Sequence, residues 1–209
     1  MKQAFDQVID FLVPFGPAIR RADTQEPFKN WPLVLLRALP MTFFIFWLFS
    51  FIPLVGGFIY MLVLVPLSVR RHMAREKAPR PNAMFKLLTI YYVVILFGFG
   101  GIWSFIGHTF LATSVAQSIG WATSPFQTEL AFFTLGTGVA GLLAIWIRDH
   151  LITALIVTKS IFWLGAAYVH INDAIMHQNF APSNIGAPLI GDVIYPVLML
   201  YLLYRYWRE

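Results

Sequence analysis

The residues able to do chemistry crowd into one stretch. From His170 to Asp192 the chain reads HINDAIMHQNFAPSNIGAPLIGD, with two histidines, two acids, three asparagines, two prolines and two glycines. His170, Asp173 and His177 are spaced i, i+3, i+7, which on a helix puts them on one face about 60° wide. Imidazole and carboxylate together suit a metal ion such as Zn²⁺, Mn²⁺ or non-haem iron. They also relay protons or orient a polar ligand. The same groups serve equally well as interfacial hydrogen-bonders to loop backbone and water. His108, Glu129 and Asp192 complete a set of six polar candidates. His108 and His170, on separate helices, are candidate axial ligands for a haem b, which needs no attachment motif. The chain has no Cys, which excludes disulfides, thiolate metal sites and iron–sulfur clusters.

Two basic residues sit inside apolar runs. Lys159 falls near the middle of the run 151–170, where an amine must pair, snorkel or titrate. It either reaches back along Thr153 and Thr158 toward one membrane face or serves a proton, quinone or anionic ligand. Glu129 is an acid on the preceding helix, but about three turns nearer the opposite face, too far for a direct pair. Arg37 lies about two turns into an earlier run and can snorkel to its entry side.

These groups are embedded in a membrane composition. The 209 residues are 58% hydrophobic and 12% charged, with mean hydropathy +0.69. Soluble domains carry about 25% charged residues, and several runs here approach the length that crosses a bilayer. The expected fold is an all-α polytopic transmembrane bundle of about six spans. An amphipathic interfacial helix is expected within residues 1–30, from the helical spacing of Phe5, Val8, Ile9, Leu12 and Val13. A two-helix hairpin over 31–69 follows; it is short enough that a re-entrant hairpin competes with full spanning. A basic loop at 70–86 leads to a four-helix core over 87–206. Within that core, spans are expected at about 87–106, 125–147, 151–170 and 188–204. Ser124-Pro125-Phe126-Gln127 reads as a capping box with Pro at the first helical position, fixing one helix start.

The basic residues set an orientation. With six spans, Lys and Arg fall in the N-terminal segment, the 70–86 loop, the turn at Arg148 and the C-terminus, and the three opposite loops hold none. The positive-inside rule then puts both termini in the cytoplasm of a multi-pass protein of a bacterial inner (plasma) membrane, with the six polar candidates facing outward. The net charge of +5 is thus a topology signal and not a nucleic-acid footprint. The partners this implies are the lipid bilayer and other membrane subunits or a second copy of the chain.

Gly136-Thr-Gly138-Val-Ala-Gly141 matches the dinucleotide expression GxGxxG, but it has no preceding strand and lies inside an apolar helix. Small residues at a helix contact account for it, as for Gly98, Gly100 and Gly101 on the preceding span. Tyr91-Tyr92 and Tyr201, Tyr204, Tyr206 and Trp207 read as interface anchors.

Two further motifs, Gly120-Trp121-Ala-Thr-Ser124-Pro125-Phe126-Gln127-x-Glu129 and Asn179-Phe-Ala-Pro182-Ser-Asn184-Ile-Gly186, flank Gly165-Ala166-Ala167 and His170. With them the chain resembles an uncharacterised family of bacterial integral membrane proteins, distantly like the DoxX-type four-helix membrane proteins, over about residues 87–206. The resemblance carries no established activity. It implies that Glu129, His170 and Asn184 belong to one region, and by analogy it points toward quinone-linked redox chemistry. The leading expectation is an accessory or ligand/metal-binding membrane subunit with an extracytoplasmic polar pocket. The alternatives are a quinone- or haem-linked oxidoreductase subunit and a small-solute transporter, the latter disfavoured by the lack of an evident inverted repeat.

Overall fold

The computed structural model describes residues 5, 7–9, 63–74 and 83–208. The first predicted span with Arg37, most of the second, and nearly all of the N-terminal amphipathic segment lie outside the described residues. Helices account for almost all that is described, and no strand occurs among those residues. In chain order they are α1 (Val65–Met73), α2 (Ala83–Tyr92), a π-helical segment (Val93–Phe99), α3 (Gly100–Phe110), α4 (Ala112–Ile119), α5 (Pro125–Leu143), α6 (His150–His177), α7 (Pro182–Ile185) and α8 (Ala187–Trp207).

Among the described residues, three helical runs are long and apolar enough to cross a membrane: Ala83–Phe110, His150–His177 and Pro182–Trp207. The first is the centre of the bundle. Its most apolar window is 67% buried, against 33% and 17% for the other two, as expected of a helix that is hydrophobic all round. The π-helical turns fall at its most enclosed part, where Val93, Val94, Ile95, Phe97, Gly98 and Phe99 are buried. Tyr91 and Tyr92 belong to this core rather than to an aromatic belt, being 0% and 4% exposed. Their position a full two turns inside the helix, not at its end, is the reason.

Glycine decides how closely α5 approaches the central run. A Cβ on Gly141 would lie 2.5 Å from the Gly98 amide nitrogen, and one on Gly101 would lie 2.6 Å from the Thr134 carbonyl oxygen. Backbone therefore meets backbone, which only unsubstituted positions permit. Two glycines of the GxGxxG match, Gly138 and Gly141, are thus a packing surface. Gly136, the first of the match, is exposed and faces open space. The second long contact pairs α6 with α8, which run antiparallel across a short polar connection.

Several boundaries differ from expectation. The 70–86 loop is shorter, because α1 continues through Arg70 and Arg71 to Met73 and α2 begins at Ala83. The connection before Ser124 contains a helix, α4, ended by Gly120 in the left-handed region at φ 84°. A helix does start at Pro125, but Ser124 makes no side-chain cap and the Gln127 amide nitrogen donates instead to the Ala112 carbonyl at 2.9 Å. α6 runs on to His177, about two turns past the expected end, and Gln178 closes it in the left-handed region at φ 56°.

Apart from Lys159, the described Lys and Arg residues gather at one end of the bundle. There the Tyr206 hydroxyl donates to Asp149 Oδ1 at 2.7 Å, Lys86 lies over the Tyr206 ring, and the Arg205 guanidinium stacks on Phe85 at 3.7 Å. The polar stretch 170–192 lies at the other end.

Candidate functional site

The site is built from α6 outward. α6 presents Lys159, Trp163, Ala166 and His170 at i, i+4, i+7 and i+11, one stripe along its length. His170 is 8% exposed. A buried imidazole needs its nitrogens occupied, and Asn184 supplies the partner: His170 Nδ1 donates to Asn184 Oδ1 at 2.6 Å. Asn184 is itself 0% exposed, and its amide nitrogen donates to the Asn179 carbonyl at 2.7 Å and, at 3.5 Å, to that of His170. The tight turn Pro182–Ile185, set by Pro182 at its first position, carries Asn184 into this place.

Trp121 covers the other face of the imidazole. The rings stack at 5.2 Å between centroids, 11° from parallel. Trp121 is held by its indole N–H, which donates to Asp173 Oδ2 at 2.7 Å. Asp173 also accepts from the Asn179 amide at 2.6 Å and from His177 Nδ1 at 2.9 Å. The Asn179 amide nitrogen further donates to the Ile119 carbonyl at 2.9 Å, tying the 179–186 connection to the end of α4. Gly120 is obligatory there, since any side chain would strain its backbone and strike the Asn179 amide.

Beside this network lies a cleft of about 800 Å³, lined by His108 on α3, Ser118 on α4, Trp121, Trp163 and His170 on α6, and Asp192 on α8, among others. His170 Nε2 faces Asp192 Oδ2 across 4.0 Å. That separation is too long for a direct hydrogen bond. Below, Lys159 is 3% exposed, with its ammonium 4.8 Å from the Phe162 ring centre, 4.9 Å from Trp163 and 6.0 Å from Phe133. Among the described residues it makes no ion pair within 4 Å, and the aromatic faces are its close neighbours.

Of the six polar candidates, His108, His170 and Asp192 reach the cleft, and Asp173 and His177 build the network behind it. Glu129 does neither. It is exposed on α5, and the cleft takes its neighbour Leu130 instead. The helix start at Pro125 fixes the depth of Glu129 but not its facing, and one residue of helix is about 100° of rotation. Lys159 turns inward among aromatic rings rather than along Thr153 and Thr158. Among the described residues no three His, Asp or Glu side chains converge to hold a metal ion. Asn184, Trp121 and the Phe162–Trp163 pair are the working residues that side-chain chemistry alone did not single out. Their signals were present: two aromatics three and four residues after a membrane lysine, and Trp and Asn inside the two flanking motifs.

No curated protein and no solved structure matches the chain. A family model does match, over residues 54–209, further toward the N-terminus than the resemblance near residue 87 implied. By that match, which covers most of its length, the chain belongs to the family of unknown function DUF6790.

Proposed function

We propose that this is a multi-pass membrane protein that binds a small molecule in the cleft between α3, α4, α6 and α8, with His170 and Asp192 as its polar end. One observation carries the reading: a buried imidazole, clamped by Asn184 on one nitrogen and Trp121 on its face, presents its other nitrogen to a cavity beside a carboxylate. A side chain with only a packing role does not need a fixed ring orientation and an open nitrogen. The volume is that of a small-ligand site.

The depth fits a membrane. The 28 residues of α6 span about 42 Å, more than a hydrocarbon core of about 30 Å. With Arg148 at one interface, Lys159 lies near the midplane and His170 at the opposite interface, about 30 Å along the helix. The gathering of basic residues at the Arg148 end supports a cytoplasmic assignment for that end and an outward-facing cleft. Six spans, with α5 and the residues before 63 supplying those beyond the three long runs, remain part of this proposal.

The test is recovery of the ligand. The purified protein in detergent is denatured and the released organic molecules are identified by mass spectrometry, beside the variant Ala166→Trp, which fills the cleft. A stoichiometric molecule in the wild type and not in the variant is the expected result. Identical extracts from both overturn the reading.

A further inference from the structure

The two histidines of the cleft are held in opposite hydrogen-bonding states. The Asn184 amide nitrogen is committed to two carbonyls, so its oxygen is the atom facing His170 Nδ1. An oxygen there requires a proton on Nδ1, and neutral His170 then keeps a bare lone pair on Nε2. At His108 the situation is reversed. The Gln127 amide nitrogen is fixed by donating to the Ala112 carbonyl at 2.9 Å, and the same nitrogen stands 3.4 Å from His108 Nδ1. A donor facing Nδ1 leaves that nitrogen as acceptor and puts the His108 proton on Nε2. Both residues line the same cleft.

We propose, resting on the cleft being a ligand site, that it takes a neutral and mostly apolar molecule whose polar groups include one hydrogen-bond donor and one acceptor. The donor, a hydroxyl or N–H, is received by His170 Nε2 beside Asp192. The acceptor, a carbonyl or ether oxygen, is received by His108 Nε2–H. The 4.0 Å gap between His170 Nε2 and Asp192 Oδ2 sets two acceptors side by side, and among the described residues nothing donates to either, which is the complement of a donor group. Neutrality follows from the walls. Asp192 lines the cleft and Lys159 is buried beside it, so a ligand of either charge would oppose one of the two in a low-dielectric site. The apolar bulk of the ligand follows from Val115, Leu130, Ile161, Phe162 and Trp163.

Two measurements test this. The full-length protein labelled with ¹⁵N-histidine has five imidazoles, and long-range ¹H–¹⁵N spectra read the tautomer of each, with His108→Gln and His170→Gln assigning the signals. The expected result is a proton on Nδ1 of His170 and on Nε2 of His108, with Gln127→Glu reversing His108 because a carboxylate only accepts. The same tautomer at both positions overturns the inference. The second measurement is binding, read by quenching of the cleft tryptophans. The probes are 4-hydroxyphenyl heptyl ketone, its methyl ether, which lacks the donor, and 4-octylphenol, which lacks the acceptor. The hydroxyketone should bind about tenfold more tightly than either. Equal affinities for all three, abolished by Ala166→Trp, overturn the donor–acceptor assignment while leaving the ligand site standing. No quenching by any probe overturns both.

Discussion

Trp121 and His170 lie face to face, 11° from parallel, and the tryptophan is fixed in turn by Asp173, three residues beyond His170 on the same helix. The stack therefore closes a loop from α6 through the 119–124 connection and back to α6. It ties the end of α4 to the helix that carries both His170 and Lys159. Anything that loosens Trp121 should free the imidazole, and the reverse.

Asn184 should be the most costly polar residue to remove. Asn184→Ala leaves His170 Nδ1 and the Asn179 carbonyl without partners in a site where Asn184 is 0% exposed. At about 1–3 kcal/mol for each stranded group, a loss of about 2–5 kcal/mol is expected. Denaturation in mixed micelles measures it, and a loss below about 1 kcal/mol contradicts the network as described.

Glu129→Gln should do nothing comparable. Glu129 is exposed and takes no part in the network or the cleft, so stability should stay within about 0.5 kcal/mol and the ligand content should be unchanged. A large effect on either would place Glu129 in the site after all.

The α3–α5 contact gives a paired test. Gly101→Ala puts a methyl group 2.6 Å from the Thr134 carbonyl oxygen and should cost about 1–3 kcal/mol. Gly136→Ala meets nothing within 4 Å and should be neutral or stabilise by up to about 1 kcal/mol. Unfolding temperatures of the two variants, compared in the same detergent, should move in opposite directions or differ clearly in size.

Orientation is open to labelling, since the chain has no Cys of its own. Ser118 on α4 and Ala74 after α1 are both exposed, at opposite ends of the bundle. In intact cells, Ser118→Cys should react with an impermeant maleimide and Ala74→Cys only after permeabilisation. The opposite pattern would invert the topology.

The sequence by itself determined the secondary structure and its apolar character. A chain with 12% charged residues and runs of about 20 apolar ones can satisfy its backbone in lipid only as helices. It also marked the polar end, since the basic residues other than Lys159 collect at one pole of the bundle and the His170–Asp192 stretch at the other. Gly138 and Gly141 of the GxGxxG match were legible as contact surface, because small residues inside an apolar helix let another helix approach closely. What the tertiary structure alone decided is facing. The depth of Glu129 followed from the helix start, but its rotation depends on which side of α5 packs on Gly98 and Gly101, a contact between residues 40 apart in the chain. Ser124 and Gln127 had the spacing of a capping box, and yet Gln127 turned to Ala112 and His108 because α4, unforeseen as a helix, brought that carbonyl within reach. Lys159 was visible as a charge in a long apolar helix, whereas its aromatic surroundings required Phe133 to arrive from α5. Short-range pattern encodes period and depth. Rotation about the helix axis is set by the neighbours, and it is rotation that chose which polar residues share the cleft.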